Sequence, residues 1–365
     1  MRTTKKRIGI LTGGGDCPGL NAVIRAVTKS ACHAGWDVTG IYDGYAGLLE
    51  GRCRELDAGD VSNILTVGGT ILGSSNRADP FDVPHGAEKV VHQIRAWKLD
   101  CLVTVGGDGT QNIAYQLSKR GVRVVGIPKT IDNDLMETDV TFGFDTAVAS
   151  ATDAIDKLHT TAQSHHRVMI VEVMGRYAGW LALHAGVAGG GDIVLIPEIP
   201  FTIQAVAEAI NHRRRRGKRF SIVVVAEGAA PQGGQRVVKK MVRGSHDPVR
   251  LGGIGNWLAA ELEGKVAAEI RVTVLGHVLR GGIPTPFDRV LATCFGTEAF
   301  RLVHEGKFGK MVALHGAYIA AVPLAKAISR LKLVSRNDPL IRSARAVGTS
   351  FGDNADSPVS YRGVA

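Results

Sequence analysis

The sequence contains little of several residue types, and each shortage argues against a class of protein. Aromatic residues make up 5% of the 365 residues, which argues against a single-stranded nucleic-acid binder that stacks bases. The five cysteines are scattered and form no C-x-x-C pair, so neither a disulfide framework nor a structural zinc site is predicted. No apolar run is long enough to span a bilayer. The first residues contain no apolar signal core, and we expect a cytoplasmic protein.

The remaining composition is that of a globular protein of about two domains. Hydrophobic residues make up 45% of the chain and charged residues 21%. The 44 Lys and Arg residues against 34 Asp and Glu residues give a net charge of +10, which favours anionic partners. The densest basic run, Arg213–Arg216, is interpreted as a solvated helix end. We therefore expect small phosphorylated ligands, and neither nucleic acid nor membrane as a partner.

Short apolar runs alternate with glycines and helix-compatible stretches, which predicts βαβ units and an α/β fold. The runs are nearly continuously apolar, as in parallel strands that are buried on both faces. Helices are predicted over Asn21–Ala34 and Gln111–Arg120, and a short strand over Met311–Leu314; Asn354–Ala365 is interpreted as a loose tail. The predicted main strands are Arg7–Thr12, Cys101–Val105, Val122–Ile127, Val168–Val173, Ile193–Ile196, Ser221–Ala226 and Arg271–Leu275.

Glycines and carboxylates follow three of these strands, where ligands of parallel sheets bind. The first loop contains Gly13–Asp16, and it fits either a phosphate-binding turn or a ligand-free tight turn. In Gly106–Thr110, Asp108 fits either a Mg²⁺ ligand or a helix N-cap. In Pro128–Asp134, two carboxylates fit either a general base with a metal-assisting partner or an Asx-rich turn.

Further polar residues lie near other strand ends. The Glu227 carboxylate fits either an acceptor of hydrogen bonds from sugar hydroxyls or a cap of the following turn. The cationic positions are Arg77, Arg167, Arg176, Arg271, His277 and Arg280. Each arginine alone is most simply a surface residue, but their combination with three loops in register is a stronger signal for a phosphate-binding site.

This combination resembles the 6-phosphofructokinase family. The resemblance is carried by Gly14–Asn21, Gly106–Thr110, Pro128–Asp134, Val171–Arg176, and Leu275–Gly282 with Asp288-Arg289. It implies two doubly wound parallel-sheet domains with the active site in the cleft between them. The donor domain is expected at 1–143 plus about 279–330, and the fructose 6-phosphate domain at 144–278 plus about 331–365. The mixed-substrate branch of the family is the best match.

The resemblance implies transfer of a phosphoryl group from ATP to O1 of fructose 6-phosphate. Asp132 matches the general base, and Asp108 matches the ligand of Mg²⁺, with Asp134 close enough to assist. Thr130, Arg176 and Gly14 match groups near the transferred phosphoryl. The implied donor-binding residues are Gly14, Arg77, Ala78, Gly107, Asp108, Gly109 and Thr110. The implied substrate-binding residues are Thr130, Ile131, Asp132, Arg167, Met174, Gly175, Arg176, Glu227, Arg271, His277, Val278, Leu279 and Arg280.

Arg167 and Arg271 match arginines that reach the substrate of a neighbouring subunit, which implies a homodimer or homotetramer. Two positions give conflicting indications of the phosphoryl donor. Gly109 leaves room for the α-phosphate of ATP, whereas Lys129 matches the residue of pyrophosphate users. We give the steric argument at Gly109 more weight and expect ATP, with the pyrophosphate-dependent enzyme as the alternative.

Three other functions are compatible with parts of the sequence. A NAD or lipid kinase also uses a G-G-D-G-T turn, but does not require the T-I-D-N-D loop. A non-catalytic sensor of sugar phosphates or nucleotides does not require Asp132. A nucleic-acid-binding protein is supported by net charge alone, and would show steeply salt-dependent DNA binding.

Overall fold

The structure is a computed structural model that describes residues 5–241 and 249–353. Its strands are β1 (Arg7–Thr12), β2 (Asp37–Ile41), β3 (Cys53–Leu56), β4 (Cys101–Gly106), β5 (Val124–Pro128), β6 (Val168–Val173), β7 (Ile193–Leu195), β8 (Ser221–Ala226), β9 (Val238–Met241), β10 (Val249–Leu251), β11 (Ile270–Val274), β12 (Lys310–His315) and β13 (Tyr318–Pro323). Its helices are α1 (Leu20–His33), α2 (Tyr45–Glu50), α3 (Gly86–Ala96), α4 (Asp108–Lys119), α5 (Phe144–His165), α6 (Trp180–Ala188), α7 (Ile203–Arg215), α8 (Ile254–Leu262), α9 (Pro286–His304), α10 (Leu324–Ala327) and α11 (Pro339–Ala346), with a 3₁₀ helix at Gly276–Arg280.

The chain divides into two compact units. Of the described residues, the first unit contains 5–146 and Arg280–Leu331, and the second contains 147–241, 249–279 and 332–353. Each unit has its own sheet and its own apolar core. The ligand expected for each domain stays a prediction, and the predicted tail at 354–365 lies outside the described residues.

The first unit is built on a seven-stranded sheet in the order β13-β12-β5-β4-β1-β2-β3. Its five inner strands are parallel, whereas β13 and β3 run antiparallel at the two edges. Every residue of β4 and β5 is buried, as the continuous apolar runs predict. Because β1, β4 and β5 are adjacent, the loops after their carboxyl ends lie at one edge of the sheet.

The second unit is built on a four-stranded parallel sheet in the order β11-β6-β8-β7. All residues of β6 and β8 are buried, whereas the edge strand β11 is only partly covered. A separate antiparallel pair is formed by β9 and β10. The predicted α/β class with parallel-sheet cores is therefore confirmed.

Several element boundaries differ from the sequence predictions. The strands β2, β3 and β13 were not predicted. The inner strand β2 is mostly buried, but polar residues and a glycine interrupt its apolar run, whereas β3 and β13 are partly exposed strands at the two edges of the sheet. Helix α4 begins at Asp108 rather than at Gln111, since Gly107 adopts an extended conformation and occupies the N-cap position. Among the described residues, no helix combines the length and the apolar character that crossing a membrane requires.

Candidate active site

The glycine loop after β1 is held against the next strand and against a second loop. The Gly13 N–H donates to the Val105 carbonyl of β4 at 2.9 Å, and the Gly14 N–H donates to the Ser75 carbonyl at 3.0 Å. Gly14 has a φ of 79°, which a residue with a side chain rarely adopts. Ser75 stands two residues before Arg77, and Arg77 and Ala78 are predicted donor-binding residues. The segment that leads to them therefore lies beside Gly14.

Two cationic side chains flank this loop. The Lys129 ammonium donates to the Gly15 carbonyl, and the Arg280 guanidinium donates to the Asp16 carbonyl at 3.0 Å. A Cβ atom at Gly15 would lie 2.5 Å from Nη1 of Arg280, so a side chain there would displace that guanidinium. Backbone without side chains between two cations is a suitable environment for phosphate oxygens.

Lys129 is a buried cation, with 3% of its surface exposed. Burial lowers its pKa, while the negative charges of Asp16 and Asp132 oppose that change. Lys129 is thus electrostatically linked to both the glycine loop and the loop that contains Asp132. The sequence identified Lys129 only as a donor-specificity position, and its contact with Gly15 was not predicted.

Asp108 is the first residue of α4 and directly follows the N-cap residue Gly107. The simple N-cap interpretation is therefore wrong, because Asp108 does not occupy the cap position. The Lys129 N–H donates to the Gly106 carbonyl at 3.1 Å, and a Cβ atom at Gly107 would lie 3.9 Å from Cβ of Thr130. The loop of Asp108, with Gly109 and Thr110, therefore begins beside the loop of Thr130.

The loop after β5 is ordered by its own polar side chains. Oγ1 of Thr130 accepts the Asp132 N–H at 3.0 Å, and the Thr141 hydroxyl donates to the Thr130 carbonyl at 2.7 Å. Oδ1 of Asn133 accepts the Thr141 N–H at 3.1 Å. Ile131 is fully buried and anchors the loop. The predicted polar turn is present, and it presents two partly exposed carboxylates, Asp132 and Asp134.

Three carboxylates interact at this edge of the sheet. Although part of the Asp134 surface is exposed, its carboxyl group is largely shielded from water. This desolvation, followed by the negative charges of Asp132 and Asp108, raises the pKa of Asp134 to about 7. A bound divalent cation would relieve this repulsion. Among the described residues, no three or more His, Cys, Asp or Glu side chains form a metal site by themselves. Mg²⁺ carried by a nucleotide needs only about one or two carboxylates, because phosphate oxygens complete its shell.

In the second unit, several predicted sugar-phosphate residues follow the carboxyl ends of the strands. Met174 and Gly175 follow β6, and Glu227 follows β8. The Glu227 N–H donates to the Val173 carbonyl at 2.9 Å, which places Glu227 beside the end of β6. The Arg176 guanidinium lies 5.3 Å from the Tyr177 ring centre.

The 3₁₀ helix after β11 contains His277, Val278, Leu279 and Arg280. His277 and Val278 are exposed, whereas Leu279 is buried. Arg280 belongs to the first unit, where it contacts the glycine loop as described above.

Arg167 and Arg271 lie near the amino ends of the strands of the second sheet, opposite the carboxyl ends that Met174 and Glu227 follow. Arg167 directly precedes β6, and Arg271 is the second residue of β11. Both are paired with Glu269, and Nε of Arg167 lies 2.5 Å from Oε2 of that carboxylate. A strand rises about 3.3 Å per residue, so β6 separates Arg167 from Met174 by roughly 20 Å. Within one chain, these two arginines are not brought together with Met174 and Arg176.

Known proteins resemble this chain in sequence and in fold. The sequence matches the family described as Phosphofructokinase over residues 7–303. It is 52% identical over 361 residues to an ATP-dependent 6-phosphofructokinase of Chloroflexus aurantiacus, covering 97% of this chain and 99% of the relative. It is also 52% identical over 330 residues to a pyrophosphate–fructose 6-phosphate 1-phosphotransferase of Amycolatopsis methanolica, covering 90% of this chain and 96% of the relative.

A solved structure supports the fold alone. The pyrophosphate-dependent phosphofructokinase of Nitrosospira multiformis superimposes with a TM-score of 0.81 at 20% identity, covering 95% of this chain and 93% of that one. The family match and the two relatives confirm the resemblance seen in the motifs. This chain belongs to the phosphofructokinase family.

Proposed function

We propose that the chain transfers the terminal phosphoryl group of ATP to O1 of fructose 6-phosphate, giving fructose 1,6-bisphosphate and ADP. The observation that carries this proposal is the meeting of three loops after the adjacent strands β1, β4 and β5. They contribute a glycine turn flanked by cations, a carboxylate at the start of α4, and the loop of Asp132. Phosphoryl transfer depends on this kind of positioning and charge neutralisation.

The proposed base is Asp132. The O1 hydroxyl of the sugar has a high pKa, so a carboxylate within hydrogen-bonding reach accepts its proton as the oxygen attacks. Thr130 fixes the backbone of this residue through the Asp132 N–H, and Lys129 supplies a nearby positive charge. Thr130, Arg176 and the Gly14 turn are proposed to contact the transferred phosphoryl group.

We assign Asp108 as the protein ligand of Mg²⁺, with Asp134 assisting. The metal, when bound, neutralises charge on the donor phosphates and thereby favours transfer. The donor itself is assigned to Gly14, Arg77 and Ala78 and to the segment Gly107–Thr110. The sugar phosphate is assigned to Ile131, Met174, Gly175, Glu227, His277, Val278, Leu279 and Arg280, together with the residues of the transfer site.

A second copy of the chain is proposed to complete the sugar-phosphate site. Arg167 and Arg271 lie at the amino edge of the second sheet, roughly 20 Å from the edge where Met174 lies. An arginine side chain is too short to cross that distance. We therefore propose that both arginines bind the 6-phosphate in a neighbouring subunit of a homodimer or homotetramer.

The proposed compartment is the cytoplasm. All five cysteines are free thiols in the structure, as proteins of reducing compartments usually have. Burial raises the pKa of Cys17 and of Cys101 to about 12, so both stay protonated near neutral pH.

Pyrophosphate is the second candidate donor. It is favoured by Lys129 beside the glycine loop and by the name of the Amycolatopsis relative. Turnover of the purified protein with fructose 6-phosphate and Mg²⁺ distinguishes the donors. We expect a higher kcat/KM with ATP than with pyrophosphate, and the reverse order would favour the alternative.

Gly109→Asp is expected to lower kcat/KM for ATP by about tenfold or more, because the new carboxylate adds bulk and negative charge next to the α-phosphate. Pyrophosphate has no α-phosphate attached to a nucleoside, so its use should fall less. Gln116→Asp adds the same charge further along α4 and serves as the matched control. Unchanged ATP kinetics in Gly109→Asp would contradict the steric argument for ATP.

A further inference from the structure

Asp288 is a buried carboxylate outside the proposed substrate contacts. It lies in the first turn of α9 and none of its surface is exposed. Its Oδ1 accepts the Gly143 N–H at 2.9 Å, and its Oδ2 accepts the Thr146 N–H at 2.8 Å. The Thr146 hydroxyl donates to the same Oδ2 at 2.5 Å. Burial of a carboxylate is costly, and here hydrogen bonds to the start of α5 offset that cost.

These contacts replace the usual cap of a helix. Phe144 is the first residue of α5, and an N-cap side chain normally accepts one of the first N–H groups. Gly143 has a φ of 95°, and a Cβ atom there would lie 2.4 Å from Sγ of Cys17. A side chain at position 143 would clash with Cys17, so no capping side chain can come from this position. Asp288 of α9 accepts the N–H groups of Gly143 and Thr146 instead.

The segment that Asp288 anchors runs beside the loop of the proposed base. Phe142 forms a parallel bridge with Lys129. Thr141, which is fully buried, donates its hydroxyl to the Thr130 carbonyl at 2.7 Å. Thr130 in turn accepts the Asp132 N–H at 3.0 Å. A continuous series of hydrogen bonds and short backbone steps thus connects Asp288 to the backbone of Asp132.

We infer that Asp288 is a positioning residue that fixes the Asp132 loop through Gly143, Thr141 and Thr130. This inference rests on the proposed role of Asp132 as the base. A misplacement of a catalytic group by about 1 Å can cost up to about 10²-fold in rate. Loosening this connection should therefore affect the chemical step more than the binding of either substrate.

Thr141→Val removes the hydroxyl that holds the Thr130 carbonyl, whereas Thr141→Ser keeps it. We expect Thr141→Val to lower kcat by about tenfold or more, with both KM values within about twofold of the wild type. Thr141→Ser should stay near the wild-type kcat. A role in stability alone would instead lower the melting temperature and leave the kcat of the folded enzyme unchanged.

Asp288→Asn keeps one carbonyl oxygen but loses the second acceptor, and it should show the same pattern of lower kcat with little change in KM. If both residues act through one path, the kcat loss of the double variant with Thr141→Val is smaller than the product of the single losses. Asp192→Asn is the control, since Asp192 also accepts a backbone N–H, from Ile222 at 2.9 Å, at the amino end of the second sheet. It should leave kcat unchanged.

Amide hydrogen exchange over residues 129–134 decides the inference independently of turnover. Exchange should be faster in Asp288→Asn and in Thr141→Val, and unchanged in Asp192→Asn. Wild-type exchange over these residues in both variants, or single kcat losses that multiply, would overturn the inference. Absence of wild-type turnover with either ATP or pyrophosphate would instead refute the proposed function, and the exchange result would still decide whether Asp288 holds the loop.

Discussion

Asp132→Asn is expected to lower kcat by about 10²–10⁴-fold, the usual contribution of a general base. The amide has nearly the same shape as the carboxylate but does not accept the proton of the attacking hydroxyl. The hydrogen bond to Oγ1 of Thr130 uses the backbone N–H of Asp132 and not its side chain, so the loop should keep its conformation. Binding of ATP should therefore change little, and the loss should appear in turnover.

The measurements are steady-state kcat with fructose 6-phosphate and calorimetric binding of ATP to the same preparation. Asp139→Asn is a matched control, because Asp139 lies further along the same loop and accepts the Gly316 N–H at 2.6 Å. Its kcat should stay within about twofold of the wild type. Nearly normal turnover in Asp132→Asn would remove Asp132 from the role of base.

Replacement of both Arg167 and Arg271 by alanine is expected to lower kcat/KM for fructose 6-phosphate by about 10²-fold or more. Charge-assisted hydrogen bonds to phosphate are among the strong ones, and two would be lost. KM for ATP should change little, since neither arginine is assigned to the donor. Glu269, which pairs with both arginines on the surface, is not expected to compete strongly with phosphate, because exposed ion pairs are weak.

Mixed oligomers test whether these arginines act in a neighbouring subunit. Co-expression of the double arginine variant with Asp132→Asn gives hybrids in which one chain supplies the base and its partner supplies the arginines. In a symmetric dimer with random pairing, about a quarter of all sites are then complete. Activity near that fraction supports the shared site. No recovery in hybrids shown to form would contradict it.

Local sequence patterns predicted most of the inner strands well. The bounds of β1, β6 and β8 agree with the predicted ranges at every residue, because buried parallel strands have nearly continuous apolar runs. The inner strand β2 was missed because Asp37, Thr39 and Gly40 interrupt its apolar residues. The edge strands β3 and β13 are only partly buried, and β3 contains two charged residues.

Local sequence patterns likewise predicted only part of the candidate site. The three loops were predicted because glycines or aspartates follow predicted strands within a few residues. The contact of Lys129 with Gly15 and that of Asp288 with Gly143 join residues 114 and 145 positions apart. No local pattern signals such pairs. Gly143 itself is informative only once Cys17 is found beside it.

Phosphorus NMR of the reaction mixture tests the central claim most directly. The purified protein is incubated with ATP, Mg²⁺ and fructose 6-phosphate, and the position of the transferred group is identified from its phosphorus–proton coupling. We predict one new phosphate ester at C1 of the sugar for each ADP formed, and its near absence with Asp132→Asn. Release of inorganic phosphate without a new sugar ester, or an ester at another carbon, would contradict the account.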